Sequence, residues 1–125
     1  MSKSIDLIWI TVDNIEDSIR YYTENLGFKL TSQSPEWGWA ELETKEKGTV
    51  LALSQYNPNF SQFKPGQNGI ITLTVANLHQ EIERLKKKGE VILVGEMMEV
   101  PGHVKIQTIQ DQSGNTLQLC EKISV

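Results

Sequence analysis

Two tryptophans and one glutamate have the clearest capacity for chemistry in this chain. Trp9 and Trp39 offer large flat rings that can stack on a planar or cationic ligand. Glu41 follows Trp39 by two residues, so in a strand both side chains lie on one face, where the carboxylate could pair with a positive charge. From sequence alone, the tryptophans could instead fill the site or pack at an interface, and Glu41 could be a solvated strand residue.

The residues that could support catalysis are few. His103 follows Pro101 and Gly102, and its imidazole would suit acid–base work, although a single loop histidine more often has no such role. Cys120 has no evident histidine partner, and no serine triad can be assembled. The sequence also lacks a glycine-rich phosphate loop and zinc-type Cys/His spacing. These observations favour ligand binding over nucleophilic catalysis.

An internal repeat supplies the elements that must position these residues. Three residues of the first copy recur at a constant offset of 63 residues: Val12 as Val75, Asn14 as Asn77 and Ile19 as Ile82. Each copy reads as a β-branched strand, a helix and three short strands. Asp13 or Asn14 can cap the first helix, which Gly27 ends, and the second follows Asn77 and ends at Gly89. The strands are predicted over 5–12, 28–33, 37–44 and 49–55, and again over 69–76, 90–98, 103–110 and 115–121.

Helical spacing predicts which side of each helix is buried. In the first helix the inward residues are Ile15, Ile19, Tyr22 and Leu26, and in the second they are Leu78, Ile82 and Leu85. The pattern as a whole predicts an α+β fold of two tandem βαβββ modules that form a curved mixed sheet around a cleft. We expect one domain over 1–125, with module one at 4–55, a linker at 56–68 and module two at 69–122.

Strand alternation then predicts the lining of the cleft. In the first strand Ile8, Ile10 and Val12 face the helices, which leaves Leu7, Trp9 and Thr11 on the other side. On the third strand of the second copy, the mirror positions are taken to be Lys105 and Gln107. The candidate ligand-binding residues are Trp9, Trp39, Glu41, Ser54, Thr72, His103, Gln107 and Gln118. Aromatic residues near the linker could form a lid or anchor a polar loop: Trp37, Tyr56, Phe60 and Phe63.

Composition limits the partners and the compartment. The net charge of −4 argues against nucleic acid and against an anionic membrane surface, and it permits a cationic ligand. A single cysteine cannot form an internal disulfide, which favours a reducing cytoplasm. The first residues lack the apolar run of a signal peptide, and no segment reaches the ~20 apolar residues of a membrane span. We therefore expect a cytoplasmic protein.

Two stretches carry a resemblance to a known family. Residues 12–27 read Val-Asp-Asn-Ile-Glu-Asp-Ser-Ile-Arg-Tyr-Tyr-Thr-Glu-Asn-Leu-Gly, and residues 110–121 read Gln-Asp-Gln-Ser-Gly-Asn-Thr-Leu-Gln-Leu-Cys-Glu. Together with the repeated strand–helix–three-strand order, they resemble the vicinal oxygen chelate superfamily. That group contains glyoxalase I, bleomycin-binding resistance proteins, extradiol dioxygenases and methylmalonyl-CoA epimerase. The resemblance covers essentially the whole chain, but this fold hosts many chemistries.

The resemblance also implies where a metal would be held. Carried onto this chain, the four ligand positions of metal-bearing relatives fall at Leu7, Ala52, Ile70 and Gln118. Three of these are aliphatic, and one neutral amide oxygen does not hold a divalent ion that needs three or four protein ligands. The chain is therefore expected to have no metal site and no cofactor.

The leading functional hypothesis is a metal-independent protein that sequesters or senses a small aromatic or cationic molecule in an apolar, tryptophan-lined cleft. Whether it is an enzyme is open, with the balance against catalysis. The alternative is a lyase or isomerase of the same superfamily that uses Glu41, His103 or Gln118, with or without a non-standard metal site. A structural or regulatory protein with a filled cleft is a third. A homodimer is expected, because relatives pair and short curved sheets expose edges.

Overall fold

A computed structural model describes residues 5–123, so the expected start of module one at residue 4 lies outside the described residues. The first copy contains β1 (Leu7–Val12), α1 (Ile15–Leu26), β2 (Lys29–Ser34), β3 (Trp39–Glu43) and β4 (Val50–Gln55). The second contains β5 (Ile71–Thr74), α2 (Leu78–Lys88), β6 (Ile92–Val100), β7 (Val104–Gln110) and β8 (Thr116–Lys122). The predicted α+β class with two βαβββ copies is confirmed, and a short 3-10 helix at Pro35–Trp37 was not predicted.

The chain divides into two compact units that do not coincide with the two halves of the sequence. The first unit holds Met1–Gly69 and Gln112–Asn115, and the second holds Ile70–Asp111 and Thr116–Val125. Each contains one four-stranded mixed sheet, in the order β1-β4-β3-β2 and β5-β8-β7-β6 respectively. In both sheets the first strand pairs in parallel with the last, and the remaining pairs are antiparallel. The inter-copy segment and the β7–β8 turn therefore belong to the first unit.

Both helices begin and end as the sequence predicts. The Asn14 side chain accepts a hydrogen bond from the Asp17 amide at 3.0 Å, and Asn77 does the same for the Gln80 amide at 3.1 Å. Each satisfies an amide that has no partner within its helix. Gly27 closes α1 with a φ of 73°, a left-handed conformation that glycine adopts without steric cost.

The buried side of α2 agrees with prediction, and that of α1 agrees in part. Leu78, Ile82 and Leu85 are buried. In α1 Tyr22 is buried as predicted, together with Ser18, Tyr21 and Asn25, whereas Ile15, Ile19 and Leu26 are half-buried. The two tyrosine rings pack edge-on at 5.3 Å, and Tyr22 packs in the same way against Phe28 at 5.7 Å. Ile15, Ile19 and Leu26 are less buried than predicted, since large aromatic rings occupy much of this side of the first unit.

The register of β7 against β8 overturns the predicted orientation of Gln107, and the neighbouring strand β6 contains a bulge. Between the pairs Val94–Thr108 and Met98–Ile106, β6 advances four residues while β7 advances two. Gln107 pairs with Leu119 and is 3% exposed, so it lies on the face opposite to Gln118, which pairs with Thr108. The expectation that Gln107 shares a face with Gln118 was wrong.

The Gln107 side chain serves the bulge instead. Its Nε2 donates to the carbonyl oxygens of Val94 at 3.3 Å, Gly95 at 3.2 Å and Thr108 at 2.9 Å. Two of these carbonyls belong to the bulged stretch of β6, where the strand ladder is interrupted. Satisfying such groups is necessary where they are shielded from water.

The same register corrects the mirror positions. Glu41 pairs with Ala52, and the residue that pairs with the equivalent Gln118 is Thr108 rather than Gln107. The offset of 63 residues holds up to the helices but grows in the later strands, where Thr108 and Gln118 are equivalent to Glu41 and Ala52. No helix among the described residues is long and apolar enough to cross a membrane.

We expect Gln107→Leu to lower the free energy of unfolding by about 1–3 kcal/mol, because it leaves carbonyl groups of the bulge without their donor. Chemical denaturation would measure this loss. Gln62→Leu, at an exposed position of the inter-copy segment, is the matched control and should change stability little. Equal effects of the two substitutions would contradict this role for Gln107.

Candidate functional site

One face of the first sheet gathers the tryptophans and the glutamate. Gln55 marks the opposite, helix-bearing face, because its side chain accepts from the Ile15 amide at 2.8 Å. Residues that alternate with Gln55 and its cross-strand partners form the other face. The pairing register places there Trp9, Thr11, Trp39, Glu41, Ala52 and Ser54. The prediction that Trp9, Trp39, Glu41 and Ser54 share a face of the sheet is thus confirmed.

The central strand of this face carries small residues between larger ones. Ala52 lies between Trp9 on β1 and Glu41 on β3, and Ser54 lies between Thr11 and Trp39. Because adjacent strands are ~4.8 Å apart, the backbones of β1 and β3 are separated by about 10 Å. Ala52 is fully buried, whereas Trp9, Trp39 and Glu41 keep part of their surface exposed. A ligand would therefore meet the aromatic rings and the carboxylate.

Trp39 and Glu41 are linked by a hydrogen bond. The indole Nε1 donates to Glu41 Oε2 at 2.9 Å, and both residues are partly buried. Indole is only a donor and an ionised carboxylate only an acceptor, so the pair has one consistent polarity. The bond fixes the tryptophan ring and the carboxylate relative to each other.

Phe63 extends the aromatic surface and was not among the predicted site residues. Its ring centroid lies 6.0 Å from that of Trp9, with the planes tilted by 53°. Phe63 is 39% exposed, whereas Trp37 and Phe60 are 80% and 83% exposed. Of the aromatic residues near the linker, Phe63 thus contacts a candidate site residue, which agrees with the anchoring role considered for this group. The aromatic content of the inter-copy segment was the available signal.

Two asparagines hold the backbone beneath Trp9. Asn68 Nδ2 donates to the Trp9 carbonyl at 2.9 Å, and its Oδ1 accepts from the Thr11 amide at 3.3 Å. Asn115 Nδ2 donates to the Thr11 carbonyl at 2.8 Å, and its Oδ1 accepts from the Gly66 amide at 2.9 Å. These bonds fix the strand that carries Trp9, and the segment that carries Phe63, within the first unit.

The other predicted site residues lie in the second unit. Thr72 on β5 and Thr108 on β7 each pair with Gln118 on β8, so the three residues share a face of that sheet. His103 is exposed in the turn between β6 and β7, where its amide donates to the Val100 carbonyl at 2.9 Å. Thr72 and Gln118 are therefore brought together, whereas His103 is in a turn and Gln107 is on the opposite face.

The positions implied for a metal do not suit one. Leu7 and Ala52 belong to the first sheet and have no donor atom in their side chains, and Ile70 precedes β5 with 64% exposure. Gln118 is the one position with a side-chain oxygen. Over residues 5–123, no group of three or more His, Cys, Asp or Glu side chains is arranged to hold a metal ion. The donor set thus does not fit a divalent metal ion.

Comparison with known proteins gives one family and a consistent fold. The sequence model of the Glyoxalase/Bleomycin resistance protein/Dioxygenase superfamily matches residues 4–119. No curated protein sequence matches the chain. Among solved structures, a member of that superfamily from Sphaerobacter thermophilus DSM 20745 is similar with a TM-score of 0.82 and 22% identity, covering 98% of this chain and 99% of the other.

Two further structures are similar. TnmS3, an antibiotic binding protein from Streptomyces sp. CB03234, has a TM-score of 0.80 and 22% identity, covering 98% of both chains. TioX from Micromonospora sp. ML1 has a TM-score of 0.75 and 14% identity, covering 97% of this chain and 100% of that one. At these identities the likeness concerns the fold.

We expect Asn115→Ala to lower the free energy of unfolding by about 1–3 kcal/mol, since it removes two hydrogen bonds made by a buried side chain. Urea denaturation would measure the change. Asn59→Ala, at an exposed position, is the control and should be close to neutral. A neutral Asn115→Ala would show that β1 does not depend on this asparagine.

Proposed function

The chain belongs to the glyoxalase/bleomycin resistance protein/dioxygenase superfamily, and within it we propose that this protein is a metal-independent binding protein for a small aromatic or cationic molecule. It would sequester or sense that molecule rather than convert it. The binding surface is the Trp9–Trp39 face, which we define as Trp9, Trp39, Glu41, Ser54 and Phe63.

The hydrogen bond between Trp39 and Glu41 is the observation that carries this proposal. It holds an aromatic ring and a carboxylate together at a partly exposed position, opposite Trp9 across Ala52. Aromatic faces with a few polar groups are the usual composition of small-molecule sites. Within residues 5–123 no lysine, arginine or histidine forms an ion pair with Glu41, so its carboxylate can select a ligand by charge.

The residues at the implied metal-ligand positions support the proposal that ligand binding does not need a metal. Leu7, Ala52 and Ile70 offer no lone pairs, so three of the four positions that relatives use cannot bind an ion. A reaction that needs a Lewis acid at this place would lack its ligands. The similarity in fold to an antibiotic binding protein is in keeping with binding as the function.

The same proposal places the protein in the cytoplasm, because a single cysteine cannot form an internal disulfide. It also includes a homodimer, because each of the two short sheets has edge strands that can pair with a second copy. Light scattering coupled to size exclusion would determine the mass in solution. A monomeric mass would remove the dimer from the proposal and leave the binding function unaffected.

We expect Trp9→Ala and Trp39→Ala each to weaken binding of 2-(aminomethyl)naphthalene by roughly fivefold to tenfold, because each removes an aromatic contact surface. Isothermal titration calorimetry would measure the affinity. Trp37→Ala is the matched control, since Trp37 is 80% exposed and lies outside the Trp9–Trp39 face. If Trp39→Ala instead lowered the free energy of unfolding by several kcal/mol, Trp39 would be a core residue and the site would be filled.

Protein purified without chelator or affinity tag should contain no stoichiometric Ni, Zn, Fe, Co or Mn, because the ligand positions lack donor atoms. Elemental analysis per chain would test this, and treatment with EDTA should leave binding of the naphthalene amine unchanged. About one metal per chain would contradict the proposal and favour the lyase or isomerase alternative.

A further inference from the structure

Glu41 is a carboxylate without a cation of its own. Its Oε2 accepts from the Trp39 indole, and within residues 5–123 no lysine, arginine or histidine nitrogen forms an ion pair with it. The residues directly opposite it are Ser32 on β2 and Ala52 on β4. Lys29 on β2 is in register with Glu43, two residues further along β3, and forms no ion pair with Glu41. A carboxylate has about four acceptor positions, and most of those on Glu41 remain unused by the described side chains.

This arrangement differs from that of the charged residues on the helices. Asp17 pairs with Arg20 at 2.6 Å, Glu81 with Arg84 at 2.8 Å and Glu83 with Lys86 at 3.6 Å. Glu41 is partly buried and adjoins aromatic rings, where a negative charge loses part of its hydration. An unpaired charge in such surroundings attracts a counter-ion more strongly than one on an open surface.

The aromatic residues on the same face suit an organic cation. Ammonium and amidinium groups are attracted to the faces of tryptophan rings, and the Trp39 indole is hydrogen-bonded to the Glu41 carboxylate. The backbone of Trp9 lies on the far side of β4, about 10 Å from that of β3, and the Phe63 ring lies 6.0 Å from the Trp9 ring. A planar ring against Trp9 and Phe63 could therefore extend across Ala52 and place a nitrogen at Glu41.

We infer that the ligand of the Trp9–Trp39 face is an aromatic compound with a protonated amine or amidine that pairs with Glu41. This inference rests on the proposed function and narrows its ligand to one chemical class. The net charge of −4 favours approach of such a cation.

A matched pair of probes tests the inference. 2-(Aminomethyl)naphthalene is protonated at pH 7, whereas 2-(hydroxymethyl)naphthalene has the same ring and nearly the same shape without the charge. Compounds of this size bind in the millimolar range at best, so calorimetry or ligand-observed NMR at low salt is suitable. We expect the wild-type protein to bind the amine roughly tenfold more tightly than the alcohol.

Substitutions then test whether the preference for the amine over the alcohol depends on the Glu41 carboxylate. Glu41→Gln keeps a carbonyl oxygen for the Trp39 indole and removes the charge, so it should bring the two affinities to within about twofold. Glu24→Gln, at an exposed position of α1, changes the net charge equally and should retain the preference. If Glu41→Gln and Glu24→Gln lost the preference for the amine equally, the net charge of the protein would explain the preference, and the inference would be overturned.

The probes also separate this inference from the proposed function. If the wild-type protein binds both probes equally, aromatic binding stands and the cationic ligand is wrong. If it binds neither, both proposals fail. Should Glu41→Gln lose its cooperative thermal transition, a salt series on the wild-type protein decides, because binding of the amine alone must weaken as NaCl rises. An amine affinity that does not respond to salt would overturn the inference.

Discussion

Hydrogen bonding along the side of β1 that faces away from β4 is the constraint on which the rest of the first unit depends. β1 pairs with β4 on one side, and its other side would leave backbone groups of Trp9 and Thr11 without partners in the sheet. Asn68 and Asn115 supply those partners with side-chain amides. Since buried backbone groups must be hydrogen-bonded, these bonds determine where β1, and therefore Trp9, can lie. The position of Trp9 on the aromatic surface thus depends in part on two side chains that hydrogen-bond an edge strand.

Much of the fold follows from patterns local in the sequence. The asparagine caps, the terminal glycines and the buried stripe of α2 depend on residues within one or two turns, and the 63-residue repeat shows them twice. Alternation along β1, β3 and β4 also places Trp9, Trp39 and Glu41 on one face, because within a regular strand each side chain fixes the orientation of the next. The relation of Trp39 to Glu41 is therefore a property of two positions in one strand.

The predictions differ from the structure at features that depend on residues distant in the sequence. Gln107 was assigned to the wrong face because Thr108, one residue later, occupies the position equivalent to Glu41, and no residue pattern marks this shift. On α1, helical periodicity predicts the burial of Tyr22 but not that of Tyr21, whose ring packs against Tyr22. Phe63 and Asn115 contact β1 across 54 and 104 positions of sequence, counted from Trp9 and Thr11. Such contacts depend on the folded chain as a whole.

The membership of residues 112–115 in the first unit has a consequence for the history of the chain. A fold made of two similar copies suggests descent from one half-length ancestor that worked in pairs. The turn between β7 and β8 belongs to the second copy in sequence, yet its Asn115 now completes β1 of the first copy. The two copies have therefore become dependent on each other after duplication. Recombination that exchanged one half of the gene alone would have to preserve this asparagine to keep the hydrogen bonds to Thr11 and Gly66.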